Sequence, residues 1–246
     1  MYYMDWTYIL VLIGAAICVA ASGYVKSTYS RFSTHAAMSG MTGAQVATKI
    51  LRDNGITDVK VQHVGGELTD HYNPGRHVVN LSDATYNSTS VAAIAVAAHE
   101  CGHVLQHYQG YTPIKIRSTL VPAANIGSKF GVPMIMIGII LGGALDFSYG
   151  EAVGNFSFGT ILIMIGMIGF VLGTAFQLVT LPVEFDASAR ALRILENSGI
   201  LRGDEVNKGA KVLRAAAMTY VAAAASSILQ LIRLIILSNR NSRRRD

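Results

Sequence analysis

Trp6 to Val25, Phe130 to Leu145 and Phe158 to Leu181 carry no Asp, Glu, Lys or Arg. In hydrocarbon, backbone N–H and C=O groups have only each other as partners, so uncharged runs of this kind are confined to helices. As a helix, Trp6 to Val25 is about 30 Å long, enough to cross a bilayer core. Phe130 to Leu145 is near the short limit for a span, and Phe158 to Leu181 is comfortably long. With 51% hydrophobic residues among 246, a large soluble domain would be compatible with the composition; the segregation of charge favours a membrane protein. Met1-Tyr2-Tyr3-Met4-Asp5 lacks the basic start of a secretory signal, and no small-residue cleavage site precedes Lys26. The first run is therefore expected to be a retained anchor.

Lys and Arg set the expected orientation. None precedes the first run and none lies in 146–157, whereas nine lie from Lys26 to Lys129 and six from Arg190 to Arg214. The positive-inside rule then puts the N-terminus and the short loop outside and both basic stretches in the cytoplasm. Ala215 to Ile232 is also uncharged, but Arg233, Arg240 and Arg243 to Arg245 follow it. A last helix that packs on the other spans or lies at the inner surface fits these charges better; a fourth span is the competing expectation. The net charge of +5 reads as a membrane-surface signature. It comes without a nucleic-acid motif, and no nucleic-acid partner is expected.

Between the first two runs lies His99-Glu100-Cys101-Gly102-His103, an HExxH pattern. Residues four apart share a helix face, about 5 to 6 Å apart at Cβ, so His99 and His103 are placed to converge on one tetrahedral ion. Glu100 is then placed as a general base toward water acidified by that ion. The surroundings favour the helix: Ser88 or Ser90 as N-cap, an Ala-rich Val91 to Leu105 free of Pro, and Gly110 as the stop. Cys101 points about 100° away from its helix neighbours and reads as a small buried side chain. Cys18 and Cys101, the two cysteines, form no disulfide framework.

Upstream, Thr42 to Asn54 reads as a short amphipathic helix capped by Thr42 and stopped by Gly55. The period then changes to two: Val59, Val61 and His63 alternate with polar residues, and Arg76 to Leu81 follows an Asn73-Pro74-Gly75 turn. Glu67 to Tyr72 is a candidate strand between them. A small sheet before an HExxH helix suits peptide hydrolysis, because an edge strand holds an extended peptide by backbone pairing.

A catalytic zinc site usually takes three protein ligands. His107 continues the stripe of His99 and His103, but it stands about 12 Å along the axis from His99. Two nitrogens on one ion are at most about 4.2 Å apart. His107 is thus expected to support or lie outside the site. Glu184, in Leu181-Pro182-Val183-Glu184-Phe185-Asp186-Ala187-Ser188, is the better third ligand, with Asp186 as rival. Two crossings return this segment to the side of His99 and His103, at the head of an expected amphipathic helix.

His99-Glu100-x-Gly102-His103, Leu68-Thr69-Asp70-His71-Tyr72 and Leu181 to Ser188 together resemble the YugP-like bacterial membrane zinc metallopeptidases. The likeness extends to Lys26-Ser27-Thr28 and Gly209-Ala210-Lys211 and so covers nearly the whole chain. It implies a gluzincin site with Zn2+ on His99, His103 and Glu184 and with Glu100 as base. The more distant HtpX-like enzymes carry Asp four residues after the ligand Glu, where this chain has Ser188, so Asp186 and Ser188 both stand as candidate partners of the zinc histidines.

The expected fold is a mainly α membrane protein of three or four hydrophobic helices with a cytoplasmic zincin-like α+β domain containing a small sheet. Its expected parts are an anchor at 1–25, the HExxH domain at 26–129, a helical hairpin at 130–181, and at 182–246 the third-ligand helix, a final hydrophobic helix and a basic tail. The expected activity is zinc-dependent hydrolysis of peptide bonds in membrane-proximal protein substrates at a bacterial cell membrane. His71, Tyr72, Arg190 and Tyr220 are candidates for stabilising the oxyanion. The alternative is a catalytically silent zinc-binding scaffold or chaperone. Metal transport is disfavoured, since no span places His or a carboxylate at mid-membrane.

Overall fold

A computed structural model describes residues 6–144 and 158–242. The 146–157 loop and Arg243 to Arg245, which weighed in the expected orientation, lie outside the described residues. The elements in order are α1 (Tyr8–Ser33), α2 (Gly43–Asp53), β1 (Lys60–His63), β2 (His71–Asn73), β3 (Val78–Leu81), α3 (Asp83–Tyr86), α4 (Val91–Tyr108), α5 (Thr112–Ala144), α6 (Phe158–Asn197) and α7 (Asp204–Ser242). The chain is thus mostly helical with a small sheet. Among the described residues, four helices, α1, α5, α6 and α7, are long and apolar enough to cross a membrane.

These elements form two compact units, one of Cys18–Lys115 with Thr180–Ala222 and one of Met1–Ile17, Ile116–Val179 and Ala223–Asp246. In the first, α4 is the central element. It packs against α2, α3 and the sheet, and Val91, Ile94, Ala95, Ala97, Ala98 and Val104 are fully or almost fully buried on it. The Ala-rich sequence leaves little side chain between α4 and its neighbours. Helix α2 starts as expected: Thr42 accepts from the Gln45 N–H while the Gln45 side chain accepts from Thr42 N–H at 2.9 Å, a reciprocal cap.

The sheet runs in the order β1-β3-β2, with β1 parallel to β3 and β2 antiparallel to it. The expected strand at Glu67 to Tyr72 is thereby shifted to His71–Asn73, beside the Asn73-Pro74-Gly75 turn. Its register pairs His71 with Asn80 and Tyr72 with Val79. Leu68 has φ 56°, a left-handed conformation that extended strand geometry excludes, and this confines β2 to the last part of the expected segment.

Two helices depart from the expected boundaries. Helix α5 starts at Thr112, well before Phe130, and carries Pro122 and Pro133 inside it; α6 runs unbroken through Pro182. Proline removes one N–H donor and crowds the preceding turn, and that local signal reads as a boundary. Beyond Pro182, however, Val183, Glu184, Ala187, Ala191 and Leu195 are all buried on one helical face. That burial favours continuing the helix over ending it. Glu184 is therefore inside a long helix, and the N-terminal dipole does not account for a carboxylate there.

In the second unit, α5 and α6 meet through small residues. A Cβ on Gly138 would come within 2.6 Å of the Gly159 carbonyl oxygen, and one on Gly166 within 2.6 Å of Gly131 O. Close backbone approach through Gly is a common way for helices to associate in lipid. Helix α7 lies along α1 in the opposite direction: Gly14 meets Ser226, and the Arg233 guanidinium sits 4.1 Å from the Tyr8 ring centre.

Candidate active site

Helix α4 is closed at both ends by its own sequence. The Ser90 side chain accepts from Ala93 N–H at 3.2 Å. At the far end Gly110 adopts φ 66°, its N–H reaching the His107 carbonyl at 3.2 Å and Tyr111 N–H reaching Gln106 O at 2.9 Å. This paired closure is the Schellman arrangement. Between the caps, His99 and His103 share one face with ring centres 4.7 Å apart.

Helix α6 supplies the carboxylate. Glu184 is 2% exposed, and its Oε2 lies 3.2 Å from His99 Nε2 and 3.6 Å from His103 Nε2. The three side chains each place one donor atom within 4.8 Å of the others. Such an approach needs the two backbones close together. A Cβ on Gly102 would stand 2.6 Å from the Ala187 carbonyl oxygen, so the glycine between the histidines is what admits α6.

Each imidazole turns its other nitrogen outward to a partner. His99 Nδ1 is 3.1 Å from Ser188 Oγ, and His103 Nδ1 is 3.0 Å from Gln106 Oε1. Gln106, fully buried, donates to Val183 O at 2.7 Å and to Asp186 Oδ2 at 2.8 Å. Asp186 also receives Arg190 Nε at 2.5 Å. Ser188 thus reaches a histidine directly, whereas Asp186 faces away from Glu184 and reaches His103 only through an amide.

Glu100 is 7% exposed, and its Oε2 accepts from the backbone N–H of Tyr72 at 2.9 Å. Strand β2 therefore fixes the carboxylate beside the histidines. Electrostatics reinforce the cluster. Burial disfavours a charged His103 ring, but the adjacent Glu184, together with Glu100 and Gln106, outweighs it and holds the imidazole above its ordinary value. Cys101 is fully buried, and burial, with the Glu100 charge, pushes its thiol up. It packs as a small side chain whose Sγ contacts Ala47 O at 3.7 Å.

The remaining candidates are placed as follows. His107 is exposed and its ring stands edge-on to Tyr72 at 6.2 Å. His71, exposed on β2, has Nδ1 at 2.8 Å from Thr69 O and Nε2 at 3.1 Å from the Asn80 amide. The Tyr72 hydroxyl is buried and has no hydrogen-bond partner among the described residues. Arg190 is committed to Asp186 and Gln109, over the Tyr111 ring. Tyr220 is half-buried on α7.

Gln106 and the Tyr72 N–H are absent from the sequence reading. Gln106 follows His103 by three positions, so helical spacing alone marks it as a neighbour. The Tyr72 amide has no side-chain signature.

Two imidazoles and a carboxylate suit a small, borderline-soft divalent ion. Ligand atoms about 2.1 Å from a tetrahedral centre are separated by about 3.4 Å, and the distances of 3.2 and 3.6 Å bracket that value. Residues 7–239 match the family described as "putative neutral zinc metallopeptidase". The chain belongs to that family. The chain is also 43% identical over 213 residues to the "putative membrane protease YugP" of Bacillus subtilis (strain 168), a match covering 87% of this chain and 88% of the relative. No solved structure matches it significantly. The family's metal is zinc, and His99, His103 and Glu184 are a group able to hold it.

Proposed function

We propose that this member of the zinc metallopeptidases is a membrane-embedded endopeptidase that cleaves membrane-proximal protein substrates, with His99, His103 and Glu184 as zinc ligands and Glu100 as general base. The observation that carries the reading is the Glu100 carboxylate, held by the Tyr72 N–H beside the three ligand atoms. An acid placed merely for structure would gain more from an ion pair than from a single amide on an edge strand.

When bound, zinc supplies the Lewis acidity that polarises a carbonyl and acidifies water. Glu100 takes the proton of the attacking water on its carboxylate and delivers it to the departing amine. The Tyr72 amide holds that carboxylate in one orientation throughout. Strand β2 is the sheet edge nearest the base, and its backbone can align an extended peptide beside Glu100. Four apolar helices support a membrane setting. The concentration of Lys and Arg from Lys26 to Lys129 and from Arg190 to Arg214 supports a cytoplasmic catalytic side.

The test is cleavage of an unfolded protein and of a membrane-proximal peptide by the purified full chain. Glu100→Gln is expected to keep stoichiometric zinc and to lower cleavage roughly 100-fold or more. Unchanged cleavage with zinc in place removes Glu100 from the role of base.

A further inference from the structure

The Gln106 amide is oriented by its surroundings. Its Nε2 carries two hydrogens, and both have acceptors: the Val183 carbonyl oxygen at 2.7 Å and Asp186 Oδ2 at 2.8 Å. Rotating the amide would set its oxygen against two oxygens that have no hydrogen to offer. Asp186 is itself held by Arg190 Nε at 2.5 Å, so the acceptor cannot swing away freely. Gln106 is fully buried, and water does not compete for these bonds.

The consequence falls on His103. Its Nδ1 faces Gln106 Oε1 at 3.0 Å, and an amide oxygen only accepts. Nδ1 must therefore carry the hydrogen, and in the neutral ring the lone pair is on Nε2. That is the nitrogen 3.6 Å from Glu184 Oε2. His99 differs: Ser188 Oγ, 3.1 Å from its Nδ1, can donate or accept, and by itself fixes no tautomer.

We propose that Gln106 is a positioning residue that locks His103 in the metal-binding tautomer, its amide in turn held by Asp186 and the Val183 carbonyl. This rests on the reading of His99, His103 and Glu184 as zinc ligands. It makes Asp186 act on the metal through an amide, one residue removed from the histidine.

Two measurements on the detergent-solubilised full chain test it. The first is nitrogen NMR of isotope-labelled histidine in the metal-free protein at alkaline pH, with His103 assigned from the spectrum of His103→Ala. An Nδ1–H tautomer for His103 is expected; an Nε2–H tautomer overturns the proposal without any substitution at Gln106. The second is zinc affinity by chelator competition, with the absorption spectrum of the cobalt-loaded protein. Gln106→Met is expected to weaken zinc binding roughly 10- to 100-fold and to shift the cobalt bands. A purely structural glutamine would leave the cobalt bands unmoved. If His103→Ala keeps zinc at wild-type affinity, the ligand assignment fails; if it loses zinc while Gln106→Met keeps it, the positioning role alone fails.

Discussion

At the residue scale, the site sets proton and metal in competition. Zinc binds the neutral imidazole, and Glu184 and its neighbours hold the His103 imidazole above its ordinary value. Below that raised value the ring is protonated and must release its proton to bind. Zinc affinity is therefore expected to start falling, as pH is lowered, from a higher pH than an unperturbed histidine of about 6.5 would give. Chelator competition across the histidine range checks this; a decline that begins only below the ordinary value contradicts it. Gly102 gives a second residue-scale test. With the Ala187 carbonyl oxygen 2.6 Å from where a Cβ would stand, Gly102→Ala must push α4 and α6 apart. It is expected to cost about 1 to 3 kcal/mol and to weaken zinc binding. Thermal unfolding and zinc titration of the variant, both equal to wild type, would show that the approach of these backbones is not limiting.

At the element scale, β2 acts through its backbone. Its Tyr72 N–H holds Glu100 at 2.9 Å, and proline is tolerated on an edge strand but has no N–H. Tyr72→Pro is accordingly expected to retain zinc and lose most cleavage. Tyr72→Phe keeps the amide and removes a buried hydroxyl that has no partner among the described residues; near-normal cleavage is expected, with stability equal to wild type or higher by about 1 kcal/mol. Equal cleavage by the Pro and Phe variants would remove the strand from the mechanism. Helix α6 carries the other element-scale lesson. Read locally, Pro182 marks the start of a helix; its continuation through Asn197 follows from the buried face of Val183, Ala187, Ala191 and Leu195, which local chemistry does not register.

At the scale of the whole molecule, the expected number of crossings turns on α7. The basic residues after Ile232 argue from sequence for a helix held on the inner side. Ser226 nonetheless lies beside Gly14 and Arg233 over the Tyr8 ring, so α7 follows α1 antiparallel toward the beginning of that helix. If α1 crosses, α7 crosses with it, and Tyr8 and Arg233 lie at one side. Topology reporters fused to each end are expected to agree with each other and to disagree with one placed after α2. Opposite readings at the two ends would contradict a crossing by α7.

The sequence by itself determined what depends on near neighbours along the chain. The helix from Val91 with a serine cap at Ser88 or Ser90 and its Gly110 stop, the shared face of His99 and His103, the Thr42 cap and the apolar runs all follow from spacing and local chemistry. Tertiary structure decided what depends on packing between distant segments: the approach of Glu184 and Ser188 to the two histidines, the strand order that puts β2 beside Glu100, and the amide of Gln106 between His103 and Asp186. The physical reason is the same in each case. Periodicity tells which face of an element is buried, but which partner meets that face, and within how many tenths of an ångström, is fixed only when α4 and α6 close on Gly102.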